Sequence, residues 1–445
     1  MREKTYRKYI CIFIIVFVFW FLHINKCLSL TLDQAINEAI KNNYLIKNKL
    51  EMIYASVGEE KIERSFMLPV LSSSYSYERL KEKPYAIFDN PIIPGNRYKV
   101  RIGDRDRFYW NIVLTQPIFT GFSLITRYKI AKFGVALKKV YREKAILDIV
   151  RDVKVTYFNV LLAKRYLEIA KEEVSQLESH FKDAKAFFKQ GIIPYNDLLK
   201  SEVALAQARQ NLVRAKSNLK VAISRLNIIL EKKVDENTKI EDIKSFIPIN
   251  YKLDKLYANA IKYRPEIKAI KIAIKQAKQK IRLAKSDYYP HIYLFAKYEQ
   301  QGNDIGATNN DYGNSHNASI GFQAKWNIFE WGRTKAEVER ASHEYKALCY
   351  ELKKAEDNIR LQVKNSFEQL KVAKQNLKTA ETALIQAKEN HRITDLRYQQ
   401  KLTTSTEVLD ARTFLTQAEV NYYNALYGYM IAKAELERAI GESQK

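Results

Sequence analysis

The sequence contains few residues that interrupt secondary structure. Only 13 glycines and 9 prolines occur among 445 residues, while 28% of the residues are charged. Few helix breakers imply few turns and therefore long uninterrupted elements. The composition therefore argues against a series of ordinary compact domains, although the length would allow two or three.

Cysteine is almost absent, and no chemistry-bearing motif takes its place. The chain has 3 cysteines. Removal of the N-terminal segment described below would leave Cys349 alone, which excludes an intramolecular disulfide. The six histidines form no cluster with ligand spacing, and neither a nucleophile nor a glycine-rich loop accompanies the acids discussed below. The sequence therefore predicts no metal, no cofactor, no catalytic residue and no enzyme activity.

Long apolar runs are also missing, apart from ICIFIIVFVFWFL at 10–22. Thirteen residues are too few to span a bilayer comfortably, and a basic MREKTYRKY segment precedes them. This pattern predicts a signal peptide over 1–29 with cleavage before Leu30, and therefore export. Lipidation of Cys27 is the alternative, which Lys26 disfavours because it is a poor residue just before a lipobox cysteine.

Acidic residues do not balance the basic ones, and the net charge is +25. Such a charge raises the question of nucleic-acid binding. The lysines, however, are spread along the chain, and no basic run with interleaved aromatic residues is present. We interpret them as the solvated faces of long helices and predict no nucleic-acid partner. A nucleic-acid-binding coiled coil is the weaker alternative.

The chain contains two copies of one pattern. LTLDQAINEAIKNN at 30–43 returns as YKLDKLYANAIKY at 251–263, and QPIFTGF returns as WNIFEWGR 210 residues later. We predict a first repeat over 30–230, a linker over 231–250 and a second repeat over 251–445. The first copy has 11 extra residues before QPIFTGF, which marks 83–104 as a loop tip because insertions fall in loops.

Each copy is predicted to consist of a helix, a β-hairpin and two long helices. The first helices are expected at about 31–66 and 253–288, and the hairpins at about 70–118 and 291–329. The long helices are expected at 122–190, 194–230, 332–400 and 404–440. Leucine alternates with alanine at 3-4 spacing along them, which predicts closely packed coiled coils. At 1.5 Å per residue the longest would reach about 100 Å.

The hairpin segments alternate between apolar and polar residues. The alternation is clear in 107–116 and 317–328 and weaker in 70–80 and 291–300. Strands of this length with aromatic residues near their ends are typical of transmembrane β-barrels. Four strands cannot close a barrel, and open edges are not tolerated in lipid, so we predict a barrel shared between copies, with twelve strands in a trimer. The membrane-interface aromatics would be Tyr75, Tyr77, Trp110 and Trp326, with ordinary sheet packing as the alternative.

Together these features resemble the TolC-like outer-membrane efflux protein family over 30–441. The resemblance lies in the opening LTLDQAI, the turns QPIFTGF and WNIFEWGR, and the tips GIIPYNDLL and KLTTSTEVLDA. It implies a mainly α protein with a small β part, in which a long antiparallel α-helical coiled-coil barrel lies in the periplasm. Four transmembrane β-strands per protomer would contribute to a trimeric β-barrel in outer-membrane lipid. The implied partners are two further copies of the chain, a periplasmic adaptor and an inner-membrane pump of the RND, MFS or ABC type.

The tip KLTTSTEVLDA contains two carboxylates, Glu407 and Asp410. Thr404 and Glu407 have capping-box spacing, so helix capping is a sufficient explanation for Glu407. Capping does not account for Asp410, for which an ordinary position on an exposed helix surface is the alternative. The resemblance implies instead that both acids form a ring at the periplasmic gate, and that Asp197 and Tyr398 brace the closed tip.

Both tips are implied to dock the adaptor, through Gly191 and Ile192 in the first copy and Lys401 and Leu402 in the second. The sequence departs from the family pattern at Lys401, where a glycine is usual, and at Thr403, where a basic residue is found in the best-known member. The predicted function is that of a passive outer-membrane exit duct for an efflux or type I secretion system. An exported soluble coiled-coil adaptor or scaffold is the alternative.

Overall fold

The structure, a computed structural model, describes residues 29–89, 91–242 and 251–442. The predicted signal peptide up to residue 28, including Cys27, lies outside the described residues. The same holds for 243–250 of the predicted linker.

The described residues form long helices and a small antiparallel sheet. The helices are α1 (Leu32–Asn42), α2 (Tyr44–Ser65), α3 (Ser123–Lys189), α4 (Tyr195–Ile229), α5 (Leu253–Tyr263), α6 (Pro265–Ala284), α7 (Arg333–Gln399) and α8 (Ser405–Ile440). The strands are β1 (Val70–Arg79), β2 (Tyr85–Asp89), β3 (Arg97–Arg101), β4 (Asp106–Thr120), β5 (His291–Gly302) and β6 (His316–Lys325). The four long helices, α3, α4, α7 and α8, lie within one residue of the ranges expected from the sequence. Over the described ranges, no helix combines the length and apolar character needed to cross a membrane.

The first helix of each copy is broken, so the prediction of one continuous helix was wrong. Asn43 and Arg264 end α1 and α5 with nearly the same backbone, at φ −57° and ψ 128° and at φ −57° and ψ 124°. Both side chains are buried and donate to the end of a long helix: Asn43 Nδ2 to the Ile229 carbonyl and Arg264 Nη1 to the Ala439 carbonyl, each at 3.1 Å. At Arg264 the following Pro265 disfavours helix continuation, and at Asn43 the side chain accepts from Leu45 N at 2.9 Å and so caps α2. At both breaks a tertiary hydrogen bond also satisfies a carbonyl at the end of a long helix.

The described chain divides into two compact units, and each unit takes parts of both copies. Of the described residues, the first unit comprises 29–50, 141–242, 251–267 and 355–442, and the second comprises 51–89, 91–140 and 268–354. In the first unit α1 is amphipathic and buries Ala35, Ile36 and Ala39 in the hydrophobic core. The core residues around them include Ile149, Val153, Tyr157, Phe158, Leu161, Leu226, Leu230, Tyr427 and Met430.

The described part of the predicted linker is packed against the first unit. Glu241 N donates to the Leu30 carbonyl at 3.0 Å, and Leu30 N donates to Lys239 O at 2.8 Å. The fully buried side chain of Asn227 donates to the carbonyls of Val234 and Glu236 at 3.2 and 2.8 Å. The segment 231–242 is therefore part of the packed structure and not a bare connection.

The second unit contains a four-stranded antiparallel sheet in the order β1-β4-β5-β6. Its register aligns the apolar positions of all four strands on one face. These positions are Leu71, Tyr75 and Tyr77 on β1; Phe108, Trp110, Ile112 and Leu114 on β4; Ile292, Leu294, Ala296 and Tyr298 on β5; and Ala318, Ile320, Phe322 and Ala324 on β6. Ile320 and Phe322 are 77% and 76% exposed, so the apolar face is uncovered within the chain.

Two details of the sheet region differ from the sequence-based expectation. The predicted loop tip 83–104 contains a further hairpin, because β2 and β3 pair with Tyr85 opposite Arg101 and Asp89 opposite Arg97. The strand predicted over 317–328 ends at Lys325, where a turn into α7 begins. That turn places Trp331 and Gly332 in left-handed conformations, with φ of 50° and 79°.

Candidate functional site

The two tips, which join α3 to α4 and α7 to α8, share one backbone conformation. Gly191 and Lys401 both adopt left-handed conformations, with φ of 70° and 63°. Gly191 N donates to Phe188 O and Lys401 N to Tyr398 O, each at 2.9 Å. In this geometry the residue after the helix end is left-handed, and glycine is favoured at such a position because it has no Cβ. Lys401 therefore adopts a backbone conformation of higher energy than Gly191 does.

The helices that leave the tips are capped differently. Pro194 precedes α4 and offers no side-chain cap, whereas Thr404 Oγ1 accepts a hydrogen bond from Glu407 N at 3.3 Å. The predicted capping box is only half formed, because the Glu407 carboxylate accepts a short hydrogen bond from the Thr403 hydroxyl. Thr403, where the best-known member of the family has a basic residue, therefore contacts one of the two predicted gate acids.

Glu407 and Asp410 lie on the exposed side of the first turns of α8. The buried side of the same turns carries Ser405, Val408 and Ala411, which are at most 4% exposed. A spacing of three residues puts both carboxylates on one face of the helix. The helix therefore places the two acids together, and capping involves only one of them.

Asp197 and Tyr398 occupy different environments. Asp197 lies in the first turn of α4 and its carboxylate is 3.5 Å from Lys200 Nζ, which in turn donates to Thr406 Oγ1 at 3.1 Å. Tyr398 is 3% exposed. Burial raises the pKa of its hydroxyl, so it is neutral at physiological pH. The predicted bracing by these two residues stays a prediction.

The predicted docking residues are exposed around both tips. Ile192 and Leu402 are 39% and 63% exposed. The Lys401 ammonium lies 5.9 Å from the centre of the Phe187 ring. Apolar side chains that flank a tip on both copies offer contact area to a partner helix.

Sequence reasoning missed a buried polar group close to the tips. His180, Ser201, Ser405 and Arg412 are each at most 7% exposed. Arg412 has no hydrogen-bond partner for Nε or Nη2 among the described residues, and burial lowers the pKa of its guanidinium. The sequence does show polar residues at helix positions where leucine and alanine are usual. That pattern does not reveal which distant residues contact one another.

The predicted membrane-interface aromatics, in the second unit, lie at two levels of the sheet. Tyr75 pairs directly with Trp110, and the Tyr77 ring stacks on Phe108 at 4.7 Å. These residues are level with the start of β6, whereas Trp326 follows its end and donates to the Tyr288 carbonyl at 3.2 Å. At about 3.3 Å per residue, the ten residues between the levels cover about 30 Å, close to the thickness of a bilayer core.

Comparison with protein families gives one match over most of the chain. The family model described as outer membrane efflux protein matches residues 35–230 and 256–442. The two matched segments correspond to the two copies of the repeat.

Individual relatives are distant in sequence. The outer membrane protein TolC of Vibrio cholerae serotype O1 is 24% identical over 288 residues, which cover 64% of this chain and 66% of that protein. The outer membrane efflux protein BepC of Brucella suis is 21% identical over 423 residues, which cover 93% of this chain and 86% of BepC.

Solved structures include a similar fold. The Campylobacter jejuni CmeC outer membrane channel superposes with a TM-score of 0.77 at 18% identity. The superposition covers 92% of this chain and 85% of CmeC. At this identity the likeness concerns the fold, which is mainly helical with a small antiparallel sheet.

Proposed function

The chain belongs to the outer membrane efflux protein family, and we propose that it is the exit duct through which a periplasmic adaptor and an inner-membrane pump release their substrate. It is an outer-membrane efflux channel with a periplasmic helical domain, of the kind that serves tripartite efflux or type I secretion systems, and it is not an enzyme. Channels of this family assemble as trimers within efflux systems. The soluble-adaptor alternative does not fit this membership.

One observation carries the proposal of a shared barrel. The sheet has a continuous apolar face that is exposed on β1 and β6 and half-buried over most of β4 and β5, and within the described chain β1 and β6 each pair on one side only. In lipid an apolar face is favourable, but unpaired backbone groups at a strand edge are not. Pairing of β6 from one protomer with β1 of the next satisfies both edges, and three protomers supply twelve strands. Tyr75, Tyr77, Trp110 and Trp326 then form the aromatic levels at the two membrane surfaces.

The tip of the second repeat supports a role for Glu407 and Asp410 in the gate. Threefold assembly would bring six carboxylates of three protomers near one axis, where their combined potential attracts cations. Both acids are exposed, and neither is paired with a lysine or arginine in the salt bridges of the described chain. The duct itself needs no energy source in this proposal, because the pump supplies the energy for transport.

We assign adaptor docking to the surfaces around Gly191 and Ile192 and around Lys401 and Leu402. These tips are the exposed ends of the helical hairpins, and their exposed apolar side chains lie beside exposed lysines, Lys189 in the first copy and Lys401 in the second. The adaptor is expected to offer a complementary helical hairpin, and the pump is of the RND, MFS or ABC type.

The gate assignment is tested by planar-bilayer recording of the purified trimer. The double variant Glu407→Gln, Asp410→Asn is expected to weaken block by divalent cations by about tenfold or more, because the acids that concentrate the cations are gone. Cation preference of the open pore should decrease in the same variant.

A matched control removes the same charge elsewhere. The double variant Glu351→Gln, Glu381→Gln neutralises two exposed acids of α7 and should keep the cation block of the original protein. Unchanged block in the tip variant, or an equal loss in the control, would contradict the acidic-ring assignment.

A further inference from the structure

A buried polar layer lies close behind the tips, formed by His180 on α3, Ser201 on α4 and Ser405 on α8. These three residues are 7%, 1% and 0% exposed, respectively. Buried polar groups lower the stability of a helical bundle unless they are hydrogen-bonded, so a layer of this kind has to be internally satisfied.

The hydrogen bonds of this polar layer run in one direction. Ser201 Oγ donates to the Asp197 carbonyl at 3.0 Å, and Ser405 Oγ lies 3.2 Å from Ser201 Oγ. His180 Nε2 lies 2.8 Å from Ser405 Oγ. Each hydroxyl has one proton, so Ser405 donates to Ser201 and accepts from the N–H of His180. The imidazole is therefore the first donor of a chain that ends on the backbone of α4.

The layer fastens one helical hairpin to the other. Ser405 belongs to the α7–α8 hairpin, while His180 and Ser201 belong to the α3–α4 hairpin. The Tyr398 ring of α7 adds a second connection, because its centre lies 5.0 Å from the His180 ring and 5.6 Å from the Phe187 ring. A displacement of one hairpin tip relative to the other breaks all of these contacts together.

The charged groups around the imidazole are few and of both signs. Asp183 from α3 and Asp395 from α7 favour the charged ring, and His391 from α7 disfavours it. From α4 and α8, His180 meets the hydroxyls of the layer. Two further charges act on its neighbours and not on His180 itself: Asp197 affects Tyr398, and Arg412 affects His391. Burial is the largest effect and lowers the pKa of His180, so the ring is neutral at physiological pH.

We propose that His180 is a positioning residue of the closed tip, whose neutral ring latches the two hairpins together and whose protonation releases them, so that acid favours opening. The proposal rests on the tips acting as the gate. It adds to the gate a group that responds to the pH of the periplasm.

The sign of the effect follows from proton linkage. In the released state the ring is hydrated and has an ordinary pKa of about 6.5, whereas in the latched state its pKa is lower. The released state therefore binds the proton more tightly. The protonated ring keeps its Nε2 donor, so release follows from the cost of burying a charge at a 7% exposed position and not from loss of the hydrogen bond to Ser405. Above pH about 6.5 the latch is at full strength, and below it the ratio of released to latched tips rises by at most about tenfold per pH unit and protomer.

The test compares resting conductance of trimers in planar bilayers at about pH 7.5 and about pH 5.5, without divalent cations, a range in which histidine titrates. The original protein is expected to show a higher resting conductance in acid. In His180→Gln the amide can still donate to Ser405 but does not titrate, so the acid response should be lost. His343→Gln, an exposed histidine of α7, is the matched control and should respond like the original protein.

Two further results keep the outcome decisive. Ser405→Ala removes the centre of the layer and should raise resting conductance at about pH 7.5, with a smaller acid response, because the hairpins are already released in part. The proposal is overturned if the original protein shows no acid response, if His180→Gln and Ser405→Ala keep it in full, or if His343→Gln abolishes it. Cation block in the Glu407 and Asp410 variant is measured separately, so failure of the acidic ring does not imply failure of the latch.

Discussion

The two copies of the repeat end their helices at equivalent places with different side chains. Asn43 and Arg264 occupy the same position at the break of the first helix, and each donates to a carbonyl at the end of a long helix, Ile229 or Ala439. These carbonyls are themselves 210 residues apart. A neutral amide in one copy thus takes the place of a guanidinium in the other.

Arg264, the charged residue of the pair, belongs to a larger network of hydrogen bonds and ion pairs than Asn43 does. Glu266 accepts from Arg264 Nε at 2.9 Å and from Arg438 Nη2 at 2.7 Å, and Arg438 Nε donates to Asp148 at 2.7 Å. Burial would raise the pKa of Glu266, but the hydrogen bonds from the two arginines lower it to about 2. Backbone geometry is thus common to both copies, while the second break uses a buried arginine with half-buried charged partners, one of which, Asp148, comes from the first copy. The stability of this network depends on all partners being present.

The largest effect is expected for removal of the shared carboxylate. Glu266→Ala leaves Arg264 buried without its charge partner, and loss of one partner of a buried pair costs about 3–5 kcal/mol. Urea unfolding of the full-length protein in detergent measures the change. Glu381→Ala, an exposed helix glutamate, is the control and should stay within about 0.5 kcal/mol. A loss below about 1 kcal/mol for Glu266→Ala would mean that the network is not an essential charge pair.

A smaller effect is expected at the equivalent position of the first copy. Asn43→Ala removes the donor to Ile229 O and the acceptor for Leu45 N, which lies at 2.9 Å, and should cost about 1–2 kcal/mol. The same urea titration applies. If Asn43→Ala were as destabilising as Glu266→Ala, the distinction between a neutral and a charged helix break would be wrong.

The smallest effect is expected from exchanging residues between the tips. Lys401→Gly relieves a left-handed non-glycine residue and should stabilise by up to about 1 kcal/mol, reduced by loss of the contact with the Phe187 ring. Gly191→Lys should destabilise by about the same amount. Equal shifts of the same sign in both variants would show that the two tips do not share one conformational preference. A gain in stability with altered conductance in Lys401→Gly would indicate that the lysine is kept for function.

The sequence predicted the elements better than their interruptions. The four long helices follow from leucine–alanine spacing and few breakers, and the sheet face follows from alternation, because both patterns are local and repeat at a fixed period. The breaks at Asn43 and Arg264 carry local signals, a capping asparagine at 43 and Pro265 after Arg264, which the prediction of one continuous helix passed over. Their tertiary hydrogen bonds, to residues 186 and 175 positions away, could not be read from the sequence. Hairpin β2–β3 was missed because its insertion was recognised only as extra length.

At the tips, the sequence by itself determined which residues are present, that they occur as two copies 210 residues apart, and that Glu407 and Asp410 share a helix face. The shared face follows from the helical period alone, because that period acts over a few neighbouring residues. The structure adds a local detail, since the Thr403 hydroxyl and not the Thr404 backbone donates to the Glu407 carboxylate. Only the tertiary structure decided that His180 meets Ser405. That contact joins residues 225 positions apart, and it exists because packing of four helices leaves their polar side chains no water to bind.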